Sequence, residues 1–369
     1  MQSFEYTPLS WNVSQWQSIL AKGPDRLPHA MLLTGASGLG KRAFAEAMAA
    51  LLLCEAPVGG FGEPAEANPT LLHACGQCAG CRWLAGGNHP DFRRLGPGTE
   101  DEEVSDDEAG TSPKDKKKAA ANIPIAAIRA LEDFVFVGSH REGRRVIVIT
   151  EAEAMQGPAA NALLKILEEP PASVYFILVS SRPKTLLPTI RSRCRAIPFS
   201  APTAASAQEW IAAAKLPKDS ARFLDLAAGA PLRVAQWNEQ QILPSIDALI
   251  ASLVSSTNQA GGDPAVLAAR WDALLKKDLR FTLEVLVEGI QRWLFDLAQE
   301  VATGAAGSVR YHTSWPRPHL DRPPPLAALT QAWRDVLRFR RSARHPLNQL
   351  LFLEDLAAHT LRAFRPTSS

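Results

Sequence analysis

The chain has 369 residues, with 40 Lys and Arg against 38 Asp and Glu, 46% hydrophobic residues and 21% charged ones. That length fits two or three domains, and the balance supplies enough apolar material for packed cores, which excludes collagen-like and wholly disordered chains. The formal net charge of +2 argues against a protein that coats nucleic acid by bulk attraction. The opening MQSFEYTPLSW carries an acid, no basic cluster and no apolar block, so no secretory signal is expected. No uncharged apolar run reaches the roughly 18 residues of a membrane span. Four of the five cysteines sit close together, which points to metal in a reducing cytoplasm and not to a disulfide scaffold.

Taken in order, MLLT (31–34) predicts a short buried strand, GASGLGKR a glycine loop, and AFAEAMAALLLC a largely buried helix ending near Cys54. Residues 55–98 are rich in Gly and Pro, contain the cysteine cluster, and read as an insertion with little regular structure. In 99–121, seven acids between Glu100 and Glu108 are followed by Lys114, Lys116, Lys117 and Lys118. A segment so poor in apolar residues cannot offset the entropy of ordering, so a disordered loop is expected. IPIAAIRALEDFVFV (123–137) predicts an amphipathic helix, RRVIVIT (144–150) a buried central strand, and PAANALLKILEE (158–169) a helix stopped by Pro170 and Pro171. YFILVS (175–180) reads as another central strand and Arg195–Phe199 as an edge strand. The alternation predicts an α/β doubly wound parallel sheet over residues 1–200. Beyond it, 201–243 reads as a small helical domain broken at GAP (229–231), and 244–369 as an all-α domain.

Four motifs carry chemistry. Gly35-x4-Gly40-Lys41, with Gly38 inside it, matches a phosphate-binding P-loop: glycines let N–H groups face a phosphate and Lys41 reaches its outer oxygens. The next position, ordinarily a Ser or Thr that ligates Mg²⁺, is Arg42, which cannot ligate a cation and would repel one. RVIVIT ends in Thr150 where a metal-orienting Asp belongs, with Glu151 in the place of the catalytic base. Two cation positions are thus lost together, and Glu151 and Glu153 are expected to be solvated loop acids. In LLPTIRSRCRAIPF, Arg193 on a short rigid loop is a candidate arginine finger for a neighbouring subunit; a surface arginine in an ordinary ion pair is the plainer reading. The alternation of Arg191, Arg193 and Arg195 on a strand-like backbone would send Arg193 to the face opposite the other two. Cys54, Cys75, Cys78 and Cys81 supply four thiolates for a tetrahedral structural zinc site, an iron–sulfur cluster being the alternative, with His73 and His89 as spare ligands. Cys194 reads as a small buried residue.

LPHAMLLTGASGLGKR, the four-cysteine module, GNHPDFRRL, ALLKILEEPP and TIRSRCR, in this order, resemble the delta-prime subunit family of the bacterial DNA polymerase III clamp loader. The likeness is specific over the first 200 residues and loose beyond them, resting there on helical character and NQLLFLEDL (348–356). It implies an AAA+ domain (1–200) with a zinc module (54–81), a helical lid (201–243) and a helical collar (244–369). It also implies a ring with gamma/tau motor subunits and a delta subunit that places a sliding clamp on primed DNA. In that ring this chain would be a cytoplasmic stator without ATPase of its own, as part of a DNA-directed DNA polymerase, a nucleotidyltransferase. Its Arg193 would reach the neighbour's ATP. Lys41 and the glycines are retained, so passive nucleotide binding in cis stays open. Arg233, after GAP, is read as structural in preference to nucleotide-sensing. The insertion at 99–121 is unusual for the family.

Two other readings compete. An ATP-hydrolysing motor of the gamma/tau kind is opposed by Arg42 and Thr150. A zinc-containing DNA-binding module on an inactive fold is opposed by the scarcity of aromatics and Lys around the cysteines.

Overall fold

The computed structural model describes every residue except 1–5, 22, 24–25, 60–70, 99–121, 137–142, 258–261, 305–308, 316–317, 319–322, 344–347 and 366–369. The acidic and basic run at 99–121 therefore lies outside the described residues. By internal contacts the chain divides into two units, Met1–Ala201 and Pro202–Ser369.

The first unit is built on apolar runs that can be buried on both faces only inside a parallel sheet. β1 (Ala30–Thr34), β3 (Arg145–Ile149) and β4 (Val174–Ser180) are buried almost throughout. With β2 (Phe92–Leu95) and β5 (Arg195–Pro198) they form one sheet in the order β2-β3-β4-β1-β5, every pair parallel. α1 (Val13–Leu20) precedes β1, and the connections between strands run through α2 (Lys41–Leu53), α3 (Ala79–Ala85), α4 (Ile125–Phe136), α5 (Gly157–Glu168) and α6 (Pro188–Arg193). In α2 the small residues Ala45, Ala47, Ala49 and Ala50 let the helix be buried nearly all round. Pro158 opens α5, where a missing N–H costs nothing, and Pro170 and Pro171 follow its end. This is the doubly wound sheet expected from the sequence.

One expectation is corrected here. Residues 55–98 hold regular structure: α3 follows the third cysteine, and Phe92–Leu95 is a sheet strand paired in register with Val146–Ile149. FRRL reads as a loop because two of its four residues are arginines. Their charge is accommodated on aromatic faces, Arg93 over the Phe134 ring at 4.4 Å and Arg94 over Phe92 at 5.8 Å.

The second unit is helical: α7 (Ala204–Ala213), α8 (Pro231–Glu239), α9 (Leu243–Thr257), α10 (Pro264–Lys277), α11 (Leu283–Thr303), α12 (Leu326–Ser342) and α13 (Gln349–Leu361). Their buried faces share one hydrophobic cluster running from Ala207 to Ala363, with Trp237, Trp271 and Trp293 in it. Among the described residues, no helix is long and apolar enough to cross a membrane.

Candidate functional site

The loop after β1 lies at the carboxyl ends of the strands, where open α/β sheets bind ligands. Gly35, Gly38 and Gly40 have φ of +143°, +82° and +88°, a region that L side chains rarely enter. At Gly35 space is short as well, because a Cβ would lie 2.5 Å from the Phe199 carbonyl oxygen on the chain leaving β5. The far end of the loop is clamped by α1 and its approach: Trp11 Nε1 and Asn12 Nδ2 donate to the Leu39 carbonyl at 3.1 and 3.0 Å.

Lys41 opens α2 with only 4% of its surface exposed. Its ammonium donates to the Gly35 and Ala36 carbonyls at 2.8 and 2.5 Å and to Ser181 Oγ at 3.3 Å. The lysine is thus folded onto its own loop. Burial pulls its pKa down to about 8, against the opposing pull of the Glu153 carboxylate.

The two expected cation positions are spent on protein contacts. Arg42 is 61% exposed in its side chain and pairs along the helix with Glu46 at 3.0 Å, a carboxylate that also holds Arg94 at 3.0 Å. Its charge is therefore matched outside the loop, and what the site lacks is an oxygen ligand. Thr150 donates its hydroxyl to the Leu95 carbonyl at 3.0 Å, fastening the end of β3 to edge strand β2.

Glu151 is exposed at φ +49°. Glu153 overturns the expectation of a solvated acid: its side chain is 5% exposed, Oε1 accepts the Ser181 N–H at 3.0 Å, and Oε2 is buried with no hydrogen-bond partner among the described residues. Sequence reasoning missed this Lys41–Ser181–Glu153 grouping. The signal for it is the pairing of Thr34 with Ser180 in adjacent strands, which brings the residue after β4 beside the glycine loop.

Arg193 is the last residue of α6, so the strand-like alternation expected for Arg191, Arg193 and Arg195 is replaced by a helical turn. Pro188 starts that helix, and Ile190 and Cys194 anchor it in the core with Leu163, Ile166 and Leu167. Nη2 of Arg193 donates to Glu168 Oε1 at 2.7 Å and Nη1 to the Thr189 carbonyl at 3.2 Å. Cys194 is buried, as expected, and burial pushes its thiol up to about 11.

The cysteine module gathers as the spacing predicts. The Sγ atoms of Cys54, Cys75, Cys78 and Cys81 all lie within 4.8 Å of one another, with Cys54–Cys78 at 3.9 Å and Cys75–Cys81 at 4.0 Å. All four are free thiols, too far apart for disulfides. A regular tetrahedron with metal–sulfur bonds of about 2.3 Å has edges of about 3.8 Å, so two of the edges already match Zn²⁺ and none needs to close by more than about 1 Å. Backbone N–H groups already face the sulfurs: Gln77 and Cys78 donate to Cys75, and Cys81 donates to Cys78, at 3.3 to 3.4 Å. Those of Gln77 and Cys78 pull the Cys75 thiol down to about 6, the form that ligates metal, whereas burial raises Cys81 and Cys54. Gly80 is needed because a Cβ there would meet the Leu53 carbonyl at 2.5 Å. His73 and His89 are outside the sulfur set: His73 Nδ1 lies 2.8 Å from the Ala74 carbonyl, and His89 Nδ1 accepts the Asp91 N–H. In the second unit Arg233 pairs with Glu288.

The parallel order β2-β3-β4-β1-β5, with a glycine loop between β1 and α2, defines an α/β AAA+-type domain carrying a P-loop short of its cation ligands, followed by a helical unit. A family profile described as "DNA polymerase III, delta subunit" matches residues 11–203, just over half of the sequence, and the chain belongs to the DNA polymerase III delta-prime family. It is 36% identical over 236 residues to DNA polymerase III subunit delta' of Pseudomonas aeruginosa, covering 63% of this chain and 62% of that one. To the Escherichia coli subunit delta' it is 31% identical over 205 residues, covering 55% and 52%. DNA polymerase III subunit gamma/tau of Mycobacterium bovis is 33% identical over 174 residues, 47% of this chain and 25% of that one. The chain thus spans under two thirds of the length of these relatives.

Proposed function

We propose that this chain is a non-hydrolysing stator of a DNA polymerase III clamp loader, which supplies Arg193 in trans to the ATP site of a neighbouring motor subunit of the gamma/tau kind. The observation that carries the reading is the state of its own phosphate loop. Phosphoryl transfer depends on positioning and on a cation that neutralises developing charge. Here Thr150 spends its hydroxyl on Leu95, Arg42 pairs with Glu46, and Lys41 lies on the Gly35 and Ala36 carbonyls. Arg42 offers no oxygen, and Thr150 offers only a neutral hydroxyl where a carboxylate would orient Mg²⁺.

Arg193 has what a trans-acting group needs. A guanidinium presents five N–H donors in a rigid fork suited to phosphate, and this one ends a helix whose base is locked in the core. On this reading residues 201–243 act as the lid and 244–369 as the collar through which the motor and delta subunits assemble. The complex then places the sliding clamp on primed DNA in the cytoplasm. The four thiolates hold one structural zinc, which ties the end of α2 to α3 and takes no part in phosphate chemistry.

The test is the ATPase rate of the clamp loader reconstituted with Arg193→Ala. Removing a finger arginine costs on the order of 10³-fold at the site it serves, and less over a ring with several sites. A wild-type rate would refute the trans role. Steady Mg²⁺-dependent hydrolysis by the isolated chain would favour the motor reading instead.

A further inference from the structure

We propose that Glu168 is the positioning residue for Arg193, fixing the plane and reach of its guanidinium before a neighbouring nucleotide is met; this rests on the trans role proposed above. Two anchors hold the fork, the Glu168 carboxylate on Nη2 at 2.7 Å and the Thr189 carbonyl, one turn back on α6, on Nη1 at 3.2 Å. Among the described residues the remaining N–H groups of Arg193 have no partner, which leaves them for an anion.

Both anchors stand on rigid ground. Glu168 is the last residue of α5, closed by Pro170 and Pro171, and Leu163, Ile166 and Leu167 of that helix share a core cluster with Ile190 and Cys194 on either side of the arginine. An arginine held in one geometry has already given up the rotamer freedom that it would otherwise lose on meeting phosphate.

A second observation separates this role from an ordinary surface ion pair. Glu168 sits at the helix C-terminus, where the backbone carbonyls favour a cation and disfavour an acid. The side chains are 50% and 34% exposed, so the pair adds little to stability. Helix stability alone thus gives no reason for a carboxylate there, whereas the control of a guanidinium does.

The experiment is steady-state ATPase of the reconstituted clamp loader carrying Glu168→Ala, Glu168→Gln, Arg193→Ala, or Glu168→Ala with Arg193→Ala. Glu168→Ala is expected to lower kcat on the order of 10-fold with KM for ATP unchanged, since orientation is lost and the arginine kept. Glu168→Gln, which still accepts the hydrogen bond, is expected to restore most of the rate. The double variant is expected to match Arg193→Ala alone, because a residue acting only through the arginine has nothing further to lose. A wild-type or raised kcat in Glu168→Ala beside a slow Arg193→Ala overturns this inference and leaves the trans role standing. An additive double variant overturns it too. A wild-type rate for Arg193→Ala removes the trans role itself.

Discussion

Replacing Glu288 by Gln tests whether Arg233 is committed to structure. The carboxylate lies among three guanidiniums: Arg233 grips both its oxygens from α8, Arg292 approaches from one turn along α11 at 2.6 Å, and Arg340 of α12 stands at 3.9 Å. Arg233 also lies over the Trp237 ring at 4.9 Å, and Arg292 over Tyr311 at 5.2 Å. Burial pushes the Glu288 carboxyl up, but Arg233 and Arg292, helped by Arg340, overcome it and hold the group at about 2 against an ordinary 4.5.

A depressed carboxylate contributes stability that is complete above its unfolded pKa and fades as pH falls through the folded one. Here the window runs from about 4.5 down to about 2. The displacement corresponds to about 3 kcal/mol at neutral pH, of which about 1.4 kcal/mol remains at pH 3. Arg292 pulls the other way: burial, with Arg233 and Arg340, lowers it to about 10 despite Glu288 and Tyr311. The net worth of the cluster is therefore smaller than the share of Glu288. The arginines' desolvation is common to wild type and variant, so the difference between the two follows the carboxylate. Urea unfolding followed by tryptophan fluorescence should show Glu288→Gln less stable by about 3 kcal/mol at pH 7, within the range for uncovering buried charge, and by about half that at pH 3. A loss below about 1 kcal/mol at pH 7, or a gap that does not narrow in acid, would refute the reasoning and free Arg233 for another role.

Cys78→Ser should lose about one zinc per chain by metal analysis and loosen the α2–α3 junction while the sheet stays folded; a wild-type protein free of zinc would contradict the ligand set. Gly35→Ala should destabilise the first unit by at least about 1–3 kcal/mol in thermal or urea melts, because a Cβ must enter the positive-φ region and meet the Phe199 carbonyl at 2.5 Å. An unchanged melt would mean that β5 gives way.

The parts legible in the sequence are those whose chemistry is local. Runs such as MLLT, RVIVI and YFILVS can be buried on both faces only in a parallel sheet, and three cysteines spaced by two residues have little to do but share an ion. What escaped reading depends on partners distant in the chain. FRRL becomes a strand because β3 offers it an edge and Phe134, more than 38 residues on, offers Arg93 its ring. Glu153 is buried because the chain leaving β4 presents the Ser181 N–H to it, and Arg193 acquires Glu168 because α5 and α6 pack together. No window of sequence around any of these residues contains the group that decides its state.

The same contrast bears on how, on the proposed reading, a P-loop fold could forgo a cation without losing its shape. A carboxylate at position 150 would face the glycine loop only if the end of β3 needed no other support. Thr150 instead ties that end to Leu95 through both its N–H, at 2.8 Å, and its hydroxyl, at 3.0 Å. An Asp there keeps the backbone bond and, being an acceptor when ionised, repels the Leu95 carbonyl that the hydroxyl now serves. Restoring the acid therefore works against the edge strand before it gains a cation. Position 42 differs, since Arg42 is exposed and pairs with Glu46, so Ser or Thr would fit there at little structural cost. On the reading proposed above, the obstacle to hydrolysis in cis is thus uneven, shallow at the loop and deep at the strand.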